Sequence, residues 1–384
     1  MSASLILLFI SLLTWGFGEG MFIYFQPIYL QQLGASTLLI ASVFSAYGLT
    51  MMIAHVPAGF LADRLGRKPL IISSWVSGLL AALLMGLARS LPLFVVGMLL
   101  YGSTSFVVSP LYSYVTEARG RLTPARAMTL ASAAFNLGGT LGPVVGGWIG
   151  TRLGLREVYL LASGVYLIST LFLLPIASQL REGHVPGESP TKLVRDVHFI
   201  SFLSVAFLVM FVMYVPQPLT PNFLHDQRHL SLAMIGWLGA AGSLGNAVLN
   251  IVLGQFVART GFLLAQLSAA MFSILIWKGS GIPAYTLGYF MLGGYRASRP
   301  LIYAQVRALI PPAQMGLAYG ITEAFNSLAT VLAPLLAGVV YTHGPELVYP
   351  VSLALGAVAL LVSLLFTPRG AAAGPPILTV RSLE

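Results

Sequence analysis

Cysteine is absent from the 384 residues, and charge is scarce: Asp, Glu, Lys and Arg together make up 8%, where a soluble domain carries about a quarter. The first absence excludes disulfides and thiolate metal sites. The second, joined to 57% hydrophobic residues and a mean hydropathy of +0.87, excludes a soluble core behind a polar shell. There is more apolar surface than such a shell could hide, so lipid must be the solvent. Catalytic signatures are missing too. No Gly-x-x-x-x-Gly-Lys phosphate loop, His-Glu-x-x-His pattern, Gly-x-Ser-x-Gly elbow or metal-spaced His and carboxylate cluster occurs, which argues against an ATP-driven pump and against a membrane enzyme. The net charge of +9 does not point to nucleic acid. Its basic residues sit in short loops between apolar runs, where membrane topology accounts for them.

A membrane-spanning helix needs about 20 apolar residues, and the sequence offers twelve such runs: 5–30, 37–61, 70–88, 91–115, 127–151 and 158–177, then 199–219, 232–257, 262–277, 285–309, 315–341 and 347–366. The fold class expected is therefore an all-α integral membrane protein, a six-helix bundle over 1–178 and another over 199–368. A polar connection, 179–198, lies between them and a tail, 369–384, follows. Residues 1–30 carry no Lys or Arg at their start and no small-residue cleavage site, which reads as a retained first helix. With a cytoplasmic N-terminus, thirteen of the twenty Lys and Arg residues fall in inside loops and tail and five in outside loops. Both termini and the connection are thus expected in the cytoplasm of a cell that places the protein in its plasma membrane.

The two halves repeat. "GFLADRLGRKPL" at 59 has a faded copy, "GQFVARTGFLLA", at 254; "AFNLGGTLGPVVGG" at 134 matches "AFNSLATVLAPLLAG" at 324, and "YFQP" at 24 matches "YVPQP" at 214. Two parallel repeats with a substrate path at their interface are a transporter architecture.

These residues resemble the major facilitator superfamily, in particular its twelve-helix bacterial drug or metabolite:proton antiporters. Gly59, Asp63, Arg64, Gly66, Arg67 and Lys68 are similar to the family's loop motif between helices two and three, and Glu117 to the charged end of helix four that pairs with it. Gly138, Gly142, Pro143, Gly146 and Gly147 are similar to the fifth-helix motif of proton antiporters. The resemblance implies a rocking-type transporter without a cofactor, driven by a proton gradient, whose partners are a small-molecule substrate, protons and the lipid bilayer, acting as a monomer. One departure is plain. Helix four, "LLYGSTSFVVSPLY", lacks the arginine many members carry there, which departs from the usual coupling route and leaves the other half as the expected source of a positive charge.

Physically, the loop motif reads as a conformational latch, since a charge cluster that pairs in one state and parts in the other biases a two-state equilibrium. In the fifth helix, glycines at spacing four allow close helix approach and Pro143 interrupts the hydrogen-bond ladder. The charges inside the runs are Glu19, Glu323, Arg296 and Arg299. Each costs about 2.5 to 3.5 kcal/mol on the insertion scale and must face a cavity or a partner. Glu19 and Glu323 are the candidates for proton coupling. Arg296 and Arg299, three residues apart on one helix face, are expected across the cavity from Glu19, either to modulate it, to hold an anionic substrate group, or to form a structural ion pair. Tyr24, Gln26, Tyr101, Tyr112, Tyr214, Gln217, Tyr295 and Tyr303 are candidate cavity residues, and Asn246 and Asn250 face either the cavity or a neighbouring helix. His55 reads as a packed residue near the latch that can titrate close to neutral pH.

Overall fold

A computed structural model describes residues 2–122, 124–179, 196–310 and 315–367; the side chains of 56–65, 109, 124–125 and 315–317 lie outside the description. Gly59, Asp63 and Arg64 of the expected latch fall in the undescribed set, as do most of the polar connection and the tail. Among the described residues the chain is helical and has no strand.

The first half runs through α1 (Ala3–Ile23), α2 (Gln26–Gln32), α3 (Thr37–Leu65), α4 (Arg67–Leu87), α5 (Leu91–Ser103), α6 (Val108–Ala118), α7 (Pro124–Leu153) and α8 (Leu155–Leu173). The second continues with α9 (Val197–Tyr214), α10 (Thr220–Asp226), α11 (Leu232–Leu253), α12 (Ala258–Lys278), α13 (Gly281–Met291), α14 (Gly293–Leu309), α15 (Met315–His343) and α16 (Val348–Phe366). Among the described residues nine helices are long and apolar enough to cross a membrane, and α5 with α6 makes a tenth crossing bent by 40°. With α7 and the α13–α14 pair the helices group into twelve consecutive segments, as the apolar runs suggest.

Four of the twelve segments are broken, the first, fourth, seventh and tenth, at equivalent places in the repeats. The causes are local. Pro27 opens α2 after the turn at Tyr24 and Phe25, and Pro221 opens α10 after Pro216 and Pro218. Pro110 has no N–H to give the Phe106 carbonyl, and the backbone there tightens into a 3-10 turn over Thr104–Val107. Between α13 and α14 the break falls at Leu292, before Gly293 and Gly294. Freed backbone groups at bilayer depth are tolerated where protein or a cavity surrounds them.

The fifth-helix motif has a clear structural role. Gly138, Gly142 and Gly146 of α7 lie against the carbonyl oxygens of Leu13, Phe17 and Met21 of α1, so close that an added Cβ would sit 2.0, 2.2 and 1.9 Å from them. The same helix meets α11 with its other side: a Cβ on Gly147 would lie 2.6 Å from the Leu232 carbonyl oxygen, and one on Gly236 2.2 Å from that of Pro143. Polar groups follow this seam. Ser243 Oγ donates to the Gly139 carbonyl at 2.9 Å, Asn246 Nδ2 to Asn136 Oδ1 at 3.3 Å, and the Ala233 N–H to Thr151 Oγ1 at 3.0 Å. Asn250 donates to Asn246 Oδ1 at 2.6 Å on its own helix, so of the two placements open in the sequence Asn246 takes the one toward a neighbouring helix. A second seam joins α3 to α15, where a Cβ on Gly338 would stand 2.5 Å from that of Ala41.

Two alanine substitutions test this packing. Gly146→Ala forces α1 and α7 apart and is expected to cost about 1 to 3 kcal/mol, the usual range for overpacking, lowering the unfolding temperature in detergent. Gly164→Ala on α8, where nothing lies within 4 Å of the added Cβ, is expected to raise stability by about 0.5 to 1 kcal/mol through helix propensity. Equal effects of the two, read by tryptophan fluorescence on heating, would show that the seam is looser than described here.

Candidate functional site

Glu19 lies on α1 between Phe17 and Met21, the residues whose carbonyls rest on α7, so the glycine seam fixes its height and direction. One turn earlier stands Trp15, stacked on Tyr166 at 4.2 Å between ring centroids and tilted against Trp75 at 4.5 Å. Tyr101 completes this wall, its hydroxyl 2.9 Å from that of Tyr166. Tyr101 is buried in the first half, where it stands beside the Glu19 carboxyl as well as Tyr166.

From the other half, Arg296 of α14 presents an exposed side chain. Tyr295, its neighbour, stacks on Tyr214 of α9 at 5.5 Å. The charges of Glu19 and Arg296 act on each other, and Tyr47 of α3 stands in the field of both as well as of Tyr214. The pair does not close: among the described residues the ion pairs within 4.0 Å are Arg67–Glu117, His198–Asp196, Arg228–Glu346 and Arg299–Glu323. Glu19 and Arg296 therefore lie on opposite halves, within reach of each other's charge but without an ion pair.

Arg299 departs from the expectation. Instead of joining Arg296 opposite Glu19, it pairs at 3.4 Å with Glu323 of α15, which also accepts a hydrogen bond from Tyr303. Three residues along a helix is about 300° of rotation and 4.5 Å of rise, enough for Pro300 and the α14–α15 contact to draw the second arginine to a partner in its own half. His55 of α3 lies in the field of Glu323 and Arg299, and Tyr112 of α6 in that of Tyr303, so this second charge centre borders the first half as well.

One end of the space between the halves is sealed. Tyr24 and Tyr289 meet at 6.2 Å. Beyond them, Asn222 donates to the Pro27 carbonyl at 3.2 Å and to Gln31 Oε1, while Gln31 Nε2 donates to Asp226 Oδ2 at 2.9 Å. Gln26 is fully buried, with neither amide atom hydrogen-bonded; its repeat counterpart Gln217 donates to the Met213 carbonyl at 2.7 Å. The seal residues escaped the sequence reading, although a signal was available: Gln31 and Asn222 stand at the offset of 191 that also relates Gln26 to Gln217.

At the opposite end, the described part of the latch consists of Gly66, Arg67, Lys68 and Glu117. Gly66 caps α4 with φ of 86°, in the region that favours glycine. Arg67 pairs with Glu117 and donates to Gln179 Oε1 at 3.0 Å, and Gln179 in turn donates to the Tyr114 carbonyl at 2.9 Å. These bonds tie the start of the central connection to the ends of α4 and α6. Alongside them runs a recess lined by Tyr112, Ser113, Thr116 and Arg119.

Broken helices at four equivalent places, an acid and an arginine on opposite repeats and a seal at one end are joined by a family match. The sequence matches the model of the Major Facilitator Superfamily over residues 8–292 and 202–381. The chain belongs to the Major Facilitator Superfamily. It is a multi-pass membrane transporter and not an enzyme. Its relatives include Multidrug resistance protein 2 of Bacillus subtilis (strain 168), 24% identical over 345 residues that cover 84% of this chain and 85% of that one. Tetracycline resistance protein, class C, of Escherichia coli is 24% identical over 344 residues, 86% of each. The fold is shared with a crystal structure of a mutant of the nucleoside transporter NupG, at a TM-score of 0.84 and 13% identity, covering 96% of this chain and 100% of that one.

The Arg299–Glu323 centre yields a stability test. Glu323→Gln leaves Arg299 without its counter-charge and is expected to cost about 1 to 2 kcal/mol, below the figure for a fully buried pair because the Arg299 side chain is 39% exposed. Adding Arg299→Gln should recover most of that loss. Additive losses in the thermal unfolding of the double variant would show that the two side chains are not coupled.

Proposed function

We propose that this transporter exports small amphiphilic compounds in exchange for protons, by alternating access, from a plasma membrane in which both termini are cytoplasmic and the protein acts as a monomer. The observation that carries the reading is Glu19 set opposite Arg296 without an ion pair, between two repeats sealed at one end. With the basic loops in the cytoplasm, the seal of Tyr24, Tyr289, Asn222 and Gln31 is the outer gate. The described arrangement is then the one that receives substrate from inside.

A carboxylate at bilayer depth is costly unless a cation is near. Approach of Arg296 therefore favours proton release from Glu19, and its withdrawal favours uptake. The two groups sit on different halves, so any rocking of one half against the other changes their separation and links protonation to which side is open. Glu323, held by Arg299 and Tyr303 in one half, is the second candidate proton site. The names of relatives acting in multidrug and tetracycline resistance support export of small compounds. A second reading, proton-linked movement of an organic anion, rests on the exposed guanidinium of Arg296; Arg299, engaged by Glu323, contributes less to it.

In inside-out vesicles, an acid-inside gradient should accelerate substrate accumulation at least tenfold over no gradient. Glu19→Gln should remove that acceleration while leaving substrate exchange, and a gradient response unchanged in this variant would rule out Glu19 as the coupling acid. The natural lack of cysteine makes a second test clean. Gln31→Cys with Asp226→Cys, whose native side chains are hydrogen-bonded, should cross-link under oxidant and stop transport until reduced. Undiminished transport by the cross-linked protein would mean that α2 and α10 do not separate in the cycle.

A further inference from the structure

A cleft of about 190 Å³ opens on the flank of the second half, between α9, α12 and α16. Its floor is made of buried residues, Val209 and Val212 of α9, Ala269 of α12 and Ser352 of α16, and at its rim stand the exposed Leu267 and Ala357. Both α12 and α16 pack mainly on helices of their own half, so the cleft faces away from the interface between the repeats and toward lipid. It lies at hydrocarbon depth. On α12, Gln266 is eight residues from Ala258 and Ser273 five from Lys278, about 12 and 7.5 Å along a helix, within a core about 30 Å thick.

The repeat shows where the cleft comes from. In the first half the matching helices α1, α4 and α8 are packed around Trp75, Tyr159 and Tyr166, all fully buried, and Trp15 lies so close to Gly78 that an added Cβ would be 2.1 Å from its ring. At the 195-residue offset that relates Gly59 to Gly254, Trp75 corresponds to Ala270. At the 193-residue offset between the starts of α8 and α16, Tyr159 and Tyr166 correspond to Ser352 and Ala359. All three replacements line the cleft. Where the first half carries rings, the second carries two methyls and a hydroxymethyl.

The polar groups of the cleft ask nothing of an occupant. Ser352 Oγ donates to the Val212 carbonyl at 3.2 Å, Ser273 Oγ to that of Ala269 at 3.4 Å, and Gln266 Nε2 to Ser363 Oγ at 3.1 Å. Among the described residues, no buried polar atom without a hydrogen-bond partner belongs to the lining. What the walls lack is dispersion contact, which a gap between packed groups forfeits. Apolar cavities of about 150 Å³ take up molecules the size of benzene.

We infer that the cleft seats an acyl chain of a bilayer phospholipid, which enters sideways past Leu267 and Ala357 and packs against α9 where the first half packs its own rings. The occupant is a chain and not a headgroup or a polar solute, because the walls are apolar, their polar side chains are satisfied within the protein, and acyl chain is the solvent at that depth. The chain braces the broken seventh segment just before its turn. Met213, on the cleft wall, accepts a hydrogen bond from Ser298 of α14 at 3.8 Å and is followed by Tyr214, the last residue of α9. This seat is independent of which compound is moved and of what drives it.

Photolabelling tests it. The full chain is placed in phosphatidylcholine nanodiscs in which part of the lipid carries a diazirine at the middle of one acyl chain, irradiated, and mapped by mass spectrometry. Label is expected on the buried floor, at Val209, Ala269 and Ser352, at least fivefold above the matching buried residues of the first half, Ser74 and Tyr159. Ala270→Trp, which supplies the ring found at the matching position, should cut floor labelling at least fivefold while changing that of the exposed Leu361 less than twofold. Gly356→Leu, a smaller intrusion from the α16 wall, should act in the same direction and covers the case in which the tryptophan disturbs folding. Phosphatidylglycerol with the same chain should label equally. Label confined to exposed side chains, floor labelling that persists in both variants, or a preference of more than threefold for one headgroup overturns the inference. So does a floor reached by a photoreactive free fatty acid or a small aromatic diazirine but not by the phospholipid.

Discussion

The arrangement depends on how closely α7 can approach the backbones of α1 and α11. In lipid, apolar side chains gain little by leaving the solvent, so helices associate through van der Waals contact and hydrogen bonds, and glycine is what lets backbones touch. Three glycines four apart meet three carbonyls four apart on α1, and the helix's other side meets α11 of the opposite half. One helix thereby holds the carboxylate-bearing helix on one side and a half-to-half seam on the other. A change in that seam is felt directly at the height of Glu19, which sits between two of the carbonyls that touch α7.

Electrostatics supplies the second layer. The four charges inside the spans divide into two centres that differ in kind. Arg299, Glu323 and Tyr303 satisfy one another within one half, an arrangement that can persist through a rigid-body movement. Glu19 and Arg296 lie on opposite halves and form no ion pair. Under the proposed alternating access, the second pair is the one whose interaction energy depends on how the halves sit.

The broken helices tie the backbone to this function. Prolines and glycines interrupt the first, fourth, seventh and tenth segments at matching points, and the interruptions border the aromatic walls and the seal. A straight helix would leave no turn at Tyr24 and Phe25, and α2 could not fold over to meet α10. The duplication thus repeats a way of bending as well as a set of helices. The seal uses equivalent positions of the two copies, Gln31 and Asn222, to hydrogen-bond each other.

The sequence by itself determined the membrane environment, the helical class, the repeat and the positions of the intramembrane charges. These follow from properties that act locally or sum along the chain: the transfer cost of each residue, the length needed to cross hydrocarbon, and spacing on a helix face. It marked the fifth-helix glycines by their spacing, and it named Glu19 and Arg296 because a charge in an apolar run is visible without any fold. Only the tertiary structure decided who meets whom. Arg296 and Arg299 look equivalent in "GGYRASRPLIY", yet Arg299 takes Glu323 while Arg296 stays exposed outside the ion pairs of the described residues, because Glu323 reaches that helix only when α15 packs beside α14. Tyr101 meets both Tyr166 and the Glu19 carboxyl, and Gln31 finds Asn222 across 191 residues of chain. Partner choice of this sort depends on distances between segments remote in sequence, which are set by backbone packing between helices and by no property that a single residue carries.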